Sequence, residues 1–136
     1  MIAIDTNVLV RVLTQDDPLR SPQAARLLET AEVFVAKTVL LETEWVLRYA
    51  YRFDRESIAR AFRLVLGYGR LVVEDRTAVL VALRGFEVGL DFADALHLAS
   101  SRGCTAFASF DESLVARARK WSDPPRASRV EDLTGG

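Results

Sequence analysis

Four stretches of this chain carry acidic side chains in settings where a carboxylate does chemistry. The first opens it: Met1 to Asn7 reads M-I-A-I-D-T-N. Ile2, Ala3 and Ile4 are a short apolar run of the kind a buried strand makes. Asp5 follows at once, and Thr6, Asn7, Val8, Leu9 and Val10 then begin a helical pattern. That order sets a carboxylate at the carboxyl end of a strand, the edge at which open α/β sheets bind their ligands. Such a carboxylate is ionised near neutrality unless its surroundings shift it. The competing reading is that Asp5 only caps the helix that follows.

The same logic recurs at three further places. Asp111 trails a run read as the fourth strand, Cys104–Ala108. Glu42 stands about one turn into the helix leaving the second strand, Val33–Ala36. Asp94 lies in the first turn of a helix beginning near Asp91, and the two are three residues apart, which makes them neighbours on one face. Glu44 also lies on the Glu42 helix. Two residues apart, the pair point to nearly opposite sides, so one is the site residue and the other a surface or interface group. Periodicity alone leaves open which is which. Clustered carboxylates in an apolar setting repel by roughly 4 kcal/mol per pair at ~4 Å and an effective dielectric of 20. Either protons are shared among them, or a divalent cation sits between them. All-oxygen donors without histidine or cysteine favour Mg²⁺ or Mn²⁺ over zinc.

The elements that would position these residues alternate. Helices are expected at about 6–13, at 22–30 behind an N-cap at Ser21 with Pro22 in its first position, and at 39–53 behind a cap at Thr38. Others follow at 55–66 behind Asp54, from Asp75 to about Glu87, at 91–101, and from Asp111 to about Trp121. Strands are expected at 2–4, 33–36, 71–73 and 104–108, with a last edge strand at 126–130 and a loop at Pro124–Pro125. The long third helix is apolar around much of its circumference, Trp45 and Val46 included, which implies burial. Strand and helix in alternation give an α/β fold, a sandwich with a mainly parallel central sheet and the strand carboxyl ends on one edge.

The four motifs together resemble the PIN-domain ribonucleases, in particular the VapC-type toxins of toxin–antitoxin pairs. The likeness rests on I-D-T-N at 4–7, L-L-E-T-E-W-V-L-R at 40–48, D-F-A-D-A-L-H-L-A at 91–99 and S-F-D at 109–111, in order over nearly the whole chain. The resemblance implies a three-layer PIN-like sandwich in one domain spanning 1–136. It carries the family's acidic quartet onto Asp5, Glu42, Asp94 and Asp111, the W-V-L-R context selecting Glu42 over Glu44. It places a supporting hydroxyl at Thr6 and Ser109, and at Asp91 a further acidic residue found in some members. It further implies a Mg²⁺- or Mn²⁺-dependent endoribonuclease that cuts structured RNA such as transfer or ribosomal RNA. A cognate antitoxin of VapB type would silence it, with its tail in the groove near the acidic site, and the chain would form a homodimer. In the mechanism so implied, Asp5, Asp94 and Asp111 hold the metal and Glu42 is a ligand or a base acting through water.

Composition agrees with a cytoplasmic protein of ordinary globular type. Of 136 residues, half are hydrophobic and 27% charged, with a net charge of −1, so no basic coat for nucleic acid exists. Positive charge is carried by 16 arginines and only two lysines. Arginine suits bidentate phosphate contacts, and Arg48, Arg52 and Arg55 are the candidates to grip RNA phosphates; genomic base composition and a solvated helix face explain them equally. One cysteine, Cys104, permits no internal disulfide and is read as strand core. His97, one turn after Asp94, is read as a packing residue. Trp45, Tyr49 and Phe53 share a helical spacing that suits core or dimer interface better than base stacking. No apolar run nears the ~20 residues of a membrane span, and no signal peptide is evident. Two other functions compete. A receiver-type signalling module would need a second acidic residue beside Asp5, where Thr6 stands, and a lysine after the last strand. A PIN-like nuclease acting on DNA differs only in its polymer.

Overall fold

A computed structural model describes residues 1–121 and 125–135; Pro124 of the expected proline loop lies outside them. The chain forms two compact units, Met1–Arg76 and Thr77–Gly136.

The first unit runs β1 (Ile2–Ala3), α1 (Thr6–Thr14), α2 (Arg20–Thr30), β2 (Val33–Val35), α3 (Lys37–Tyr49), α4 (Arg55–Gly67) and β3 (Leu71–Val73). The three strands pair in the order β1-β2-β3, both pairs parallel, with Ile2 opposite Val33 and Val33 opposite Leu71. Parallel neighbours need a long crossover, and here each crossover is a pair of helices. Leu9, Val33, Val35, Leu40, Leu47, Ile58 and Phe62 are almost wholly buried and make the core of this unit.

The second unit holds nearly all of α5 (Arg76–Glu87), then α6 (Phe92–Ser100), β4 (Phe107–Ser109), α7 (Glu112–Arg119), β5 (Ala127–Arg129) and α8 (Val130–Leu133). β4 and β5 pair in parallel, Phe107 opposite Ala127, with α7 as their crossover. Phe86 and Phe92 meet edge to face, their centroids 5.8 Å apart. Gly85 permits a close approach on α5: a Cβ there would fall 2.9 Å from Trp121 Cη2. Among the described residues no helix is long and apolar enough to cross a membrane.

The mixed α/β class with parallel strands agrees with the sequence pattern, but several local expectations need correction. β1 is not a buried strand. It stands at one margin of its sheet, Ile2 and Ala3 are exposed, and only Ile4 turns inward. Ser21 does not cap α2. It is buried inside that helix and donates to the Arg11 carbonyl at 2.8 Å, while Asp17 Oδ1 accepts from the N–H groups of Leu19 and Arg20. Thr38 likewise lies within α3; the cap residue is Ala36, and the Lys37 N–H finds its acceptor in Glu74 Oε1 at 2.9 Å. α3 ends at Tyr49, four residues early, and Arg52 adopts φ 57°, a left-handed turn that a helix cannot contain. Phe53 is therefore off the helix, and Trp45 and Tyr49 are 56% and 55% exposed rather than buried. Cys104 precedes β4 in a turn, its N–H on the Ser101 carbonyl, and is exposed. His97 is exposed too.

A polar knot ties the turn after α1 to the segment after α3. Arg11 Nη1 donates to Asp16 Oδ1 and Oδ2 at 3.1 and 3.3 Å and to the Tyr51 hydroxyl at 3.0 Å. Tyr51 donates to Asp16 Oδ2 at 2.7 Å, and the Thr14 hydroxyl donates to Oδ1 at 2.8 Å. The Tyr51 hydrogen bond, then that from Thr14, hold the Asp16 carboxyl at about 2. A carboxyl lowered in the folded state stabilises the fold above its unfolded value, about 3.9, and ceases to do so as the pH falls through the folded value. Tyr51→Phe should therefore lower the thermal midpoint at pH 7. In melting curves taken at successive pH values, its deficit should shrink as the pH falls from about 4 toward about 2.

Candidate active site

In the first unit the chain leaves β1 and turns into α1 at Asp5. The turn exposes N–H groups that the helix itself cannot satisfy, and Asp5 Oδ1 accepts the one from Val8 at 3.1 Å. The next residue, Thr6, donates its hydroxyl to Glu42 Oε1 on α3. Asp5, Thr6, Asn7, Arg11, Glu42 and Tyr51 line one open cleft of about 420 Å³. Three residues of the expected set, Asp5, Thr6 and Glu42, are thus brought together here.

Glu44 goes the other way. It is 2% exposed and paired with Arg48, Nε to Oε2 at 2.9 Å and Nη2 to Oε1 at 3.1 Å. Buried as it is, it is neither the surface group nor the interface group expected of the unchosen glutamate. The same pair places Arg48, which also lies over the Tyr49 ring at 4.8 Å. Arg52 and Arg55 are both exposed, in the turn between α3 and α4 and in the first position of α4.

In the second unit Asp91 caps α6, accepting from the N–H groups of Ala93 and Asp94 at 3.0 and 3.4 Å. Asp94 is half-buried in the first turn. Burial, then the charge of Asp91, raise its carboxyl above the ordinary value; His97 opposes them, Asp111 adds a smaller rise, and Arg117 opposes least. Asp111 caps α7 through Leu114 N–H at 3.1 Å, and its own N–H donates to Ser109 Oγ at 2.9 Å. Asp91, Asp94, Ser109 and Asp111 are therefore one acidic group at the starts of α6 and α7.

Among the described residues no three His, Cys, Asp or Glu side chains converge closely enough to form a metal cage. In kind, the donors fit a hard divalent ion: they are carboxylates and hydroxyls throughout. Burial is the first cause of the raised Asp94 carboxyl and the charge of Asp91 the second; a cation would relieve the second.

Sequence reasoning missed Arg11 and Tyr51 in the cleft. Arg11 carried a signal, since it follows Asn7 by four residues and so shares its helix face. Tyr51 carried none, because it lies in the irregular segment between α3 and α4.

The fold is a mixed α/β one with parallel strands, in which β1 and β4 each lead into an aspartate-capped helix and so present a carboxylate near the strand end. The PIN-domain family model matches residues 2–120, and the chain belongs to that family. No curated protein matches it. PIN domains are generally nucleases, and PIN nucleases generally use divalent metals, Mg²⁺ being typical.

Substitutions in two contacts, the Glu44–Arg48 pair and the Thr6–Glu42 hydrogen bond, test this geometry. Arg48→Ala leaves the buried Glu44 carboxylate without its cation and should cost about 3 kcal/mol in denaturant unfolding; Glu44→Gln in the same chain should recover part of it. Thr6→Val removes the donor that fixes Glu42 and should lower nuclease turnover about tenfold, a loss of one hydrogen bond's worth. Thr6→Ser should stay near the parent rate.

Proposed function

We propose that this chain is a Mg²⁺- or Mn²⁺-dependent endoribonuclease of the VapC type, the toxin of a toxin–antitoxin pair. Its membership of a nuclease family gives the reaction class. The observation that carries the reading further is the cleft in which Asp5 and Glu42 stand together, with a hydroxyl between them. In this reading Asp5, Asp94 and Asp111 hold the metal, and all four carboxylates, Glu42 included, serve one reaction.

When bound, the divalent ion supplies a hydroxide at neutral pH and offsets the charge that grows on the phosphate during in-line attack. The chain's own residues do the rest. Thr6 donates to Glu42 Oε1, so Oε2 is the oxygen left to take a proton from the attacking water or to serve as a ligand. Helix capping holds one oxygen of Asp5 and one of Asp111 and orients each carboxylate. Asp91 and Ser109 support Asp94 and Asp111. Arg52 and Arg55, exposed beyond the end of α3, are the arginines best able to meet RNA phosphates flanking the cut. The same reading gives the enzyme two protein partners, a cognate antitoxin and a second copy of itself. The exposed neighbouring rings of Trp45 and Tyr49, 5.0 Å apart, are apolar surface of the kind a second copy would cover. The cytoplasm would be its compartment.

Purified chain incubated with total RNA and with DNA, in Mg²⁺ or Mn²⁺ and in chelator, tests the proposal. RNA should be cut at discrete new 5′ ends only when metal is present. Asp5→Asn and Asp94→Asn should each lower the rate about 100-fold or more, since loss of even an outer-shell partner of a metal ligand costs about 10- to 100-fold. Metal-independent cleavage, or full activity of Asp94→Asn, would defeat it; cleavage of DNA alone would change the substrate.

A further inference from the structure

Phe110 is 87% exposed, more than any other large apolar side chain among the described residues. It stands between Ser109 and Asp111, in the S-F-D stretch. The turn that holds it is well bonded. Asp111 N–H donates to Ser109 Oγ at 2.9 Å, Asp111 Oδ1 accepts from Leu114 at 3.1 Å, and the Asp111 carbonyl accepts from Val115 at 3.1 Å. A ring is thus held in solvent by a fixed backbone, one residue from a carboxylate of the acidic group.

From this placement we infer that Phe110 is the seat of a nucleobase, an unpaired base of the RNA lying against its ring beside the bond that is cut. The inference rests on the nuclease reading above and narrows its substrate to RNA whose cleavage point lies in a loop, bulge or single strand.

Two features of the surroundings choose a base over other occupants. The nearest charged neighbours along the chain, Asp111 and Glu112, are acidic, and Glu112 Oε1 is met by Arg129 Nη1 at 3.5 Å; a phosphate here would need the metal that the nuclease reading gives to Asp111, whereas a base presents a neutral, flat π-face that the ring itself can meet. The chain neighbours of the ring, Ser109, Asp111, Glu112 and Ser113, are also polar, so the segment that carries it offers no continuous apolar patch of the kind that forms the core of a protein interface. The Trp45–Tyr49 pair on α3 is of that kind. A base in a duplex has both faces covered by its neighbours, so only an unpaired one can seat on an aromatic side chain.

The test compares wild type, Phe110→Leu and Phe110→Trp. It measures cleavage of a short single-stranded oligoribonucleotide in Mg²⁺ and its binding in Ca²⁺ by fluorescence anisotropy. Leucine keeps the apolar volume and removes the flat face. It should raise KM and Kd about tenfold and leave kcat nearly unchanged, while tryptophan should restore both constants. Replacing the bases of the oligomer one at a time by abasic sites should reveal one position at which wild type and Phe110→Leu become equal, the signature of a direct pair.

Equal KM and Kd for wild type and Phe110→Leu, with cleavage intact, would overturn the seat and leave the nuclease reading standing. Binding that depends on Phe110 in a chain that cuts nothing would support the seat and remove the nuclease. A chain that neither binds nor cuts the oligomer would overturn both. A change in sedimentation of Phe110→Leu without a change in RNA affinity would assign the ring to a protein contact instead.

Discussion

At three points in this chain one aspartate answers two demands. A helix begins with N–H groups that have no partner inside it, and Asp5, Asp91 and Asp111 each accept one or more of them. Helix capping and an oxygen left over for chemistry, which look like rival explanations of an aspartate in a sequence, are compatible in this arrangement. The cap clamps one carboxylate oxygen and fixes its direction. Among the described residues the second oxygen of Asp5 and of Asp111 accepts no hydrogen bond, so it remains to bind something else. Turning from β1 into α1 and from β4 into α7, the chain therefore supplies oriented carboxylates at little cost in stability.

Asp94 differs, and the difference is instructive. It caps nothing; it sits within the first turn of α6, half-buried, near Asp91 and Asp111. Its carboxyl is raised where those of the lowered aspartates Asp16, Asp17 and Asp54 are held down by donated hydrogen bonds. The protein thus holds one carboxylate in a place that disfavours its charge. Groups with that property concentrate at functional sites.

Helix α3 makes the same economy in another way. Glu42 and Glu44 lie on opposite sides of it. One faces the cleft and takes the Thr6 hydroxyl; the other is buried and takes Arg48. Burying a lone carboxylate is costly, and a guanidinium with two contacts makes it tolerable. Two acidic residues that composition cannot tell apart have become a cleft-facing group and a buried, paired one.

The local signals were legible in the amino-acid order. Apolar runs separated by helical periods gave the α/β class, and Asp54, Asp91 and Asp111 announced helix starts, because a cap needs only its own residue and the next turn. The I-D-T-N, D-F-A-D and S-F-D stretches placed the carboxylates for the same reason. Errors arose where a distant partner decides. Ser21 and Thr38 have cap chemistry, but Asp17 and Glu74 reached those helix starts first. Cys104 is apolar enough for a strand, yet the bond to Ser101 keeps it in a turn. Residue order by itself determined which side chains carry charge and on which face of its own helix each must lie. Only the tertiary structure decided which faces meet water, which carboxylate receives a hydroxyl and which an arginine. Those outcomes depend on residues tens of positions away, or on packing that no local pattern encodes.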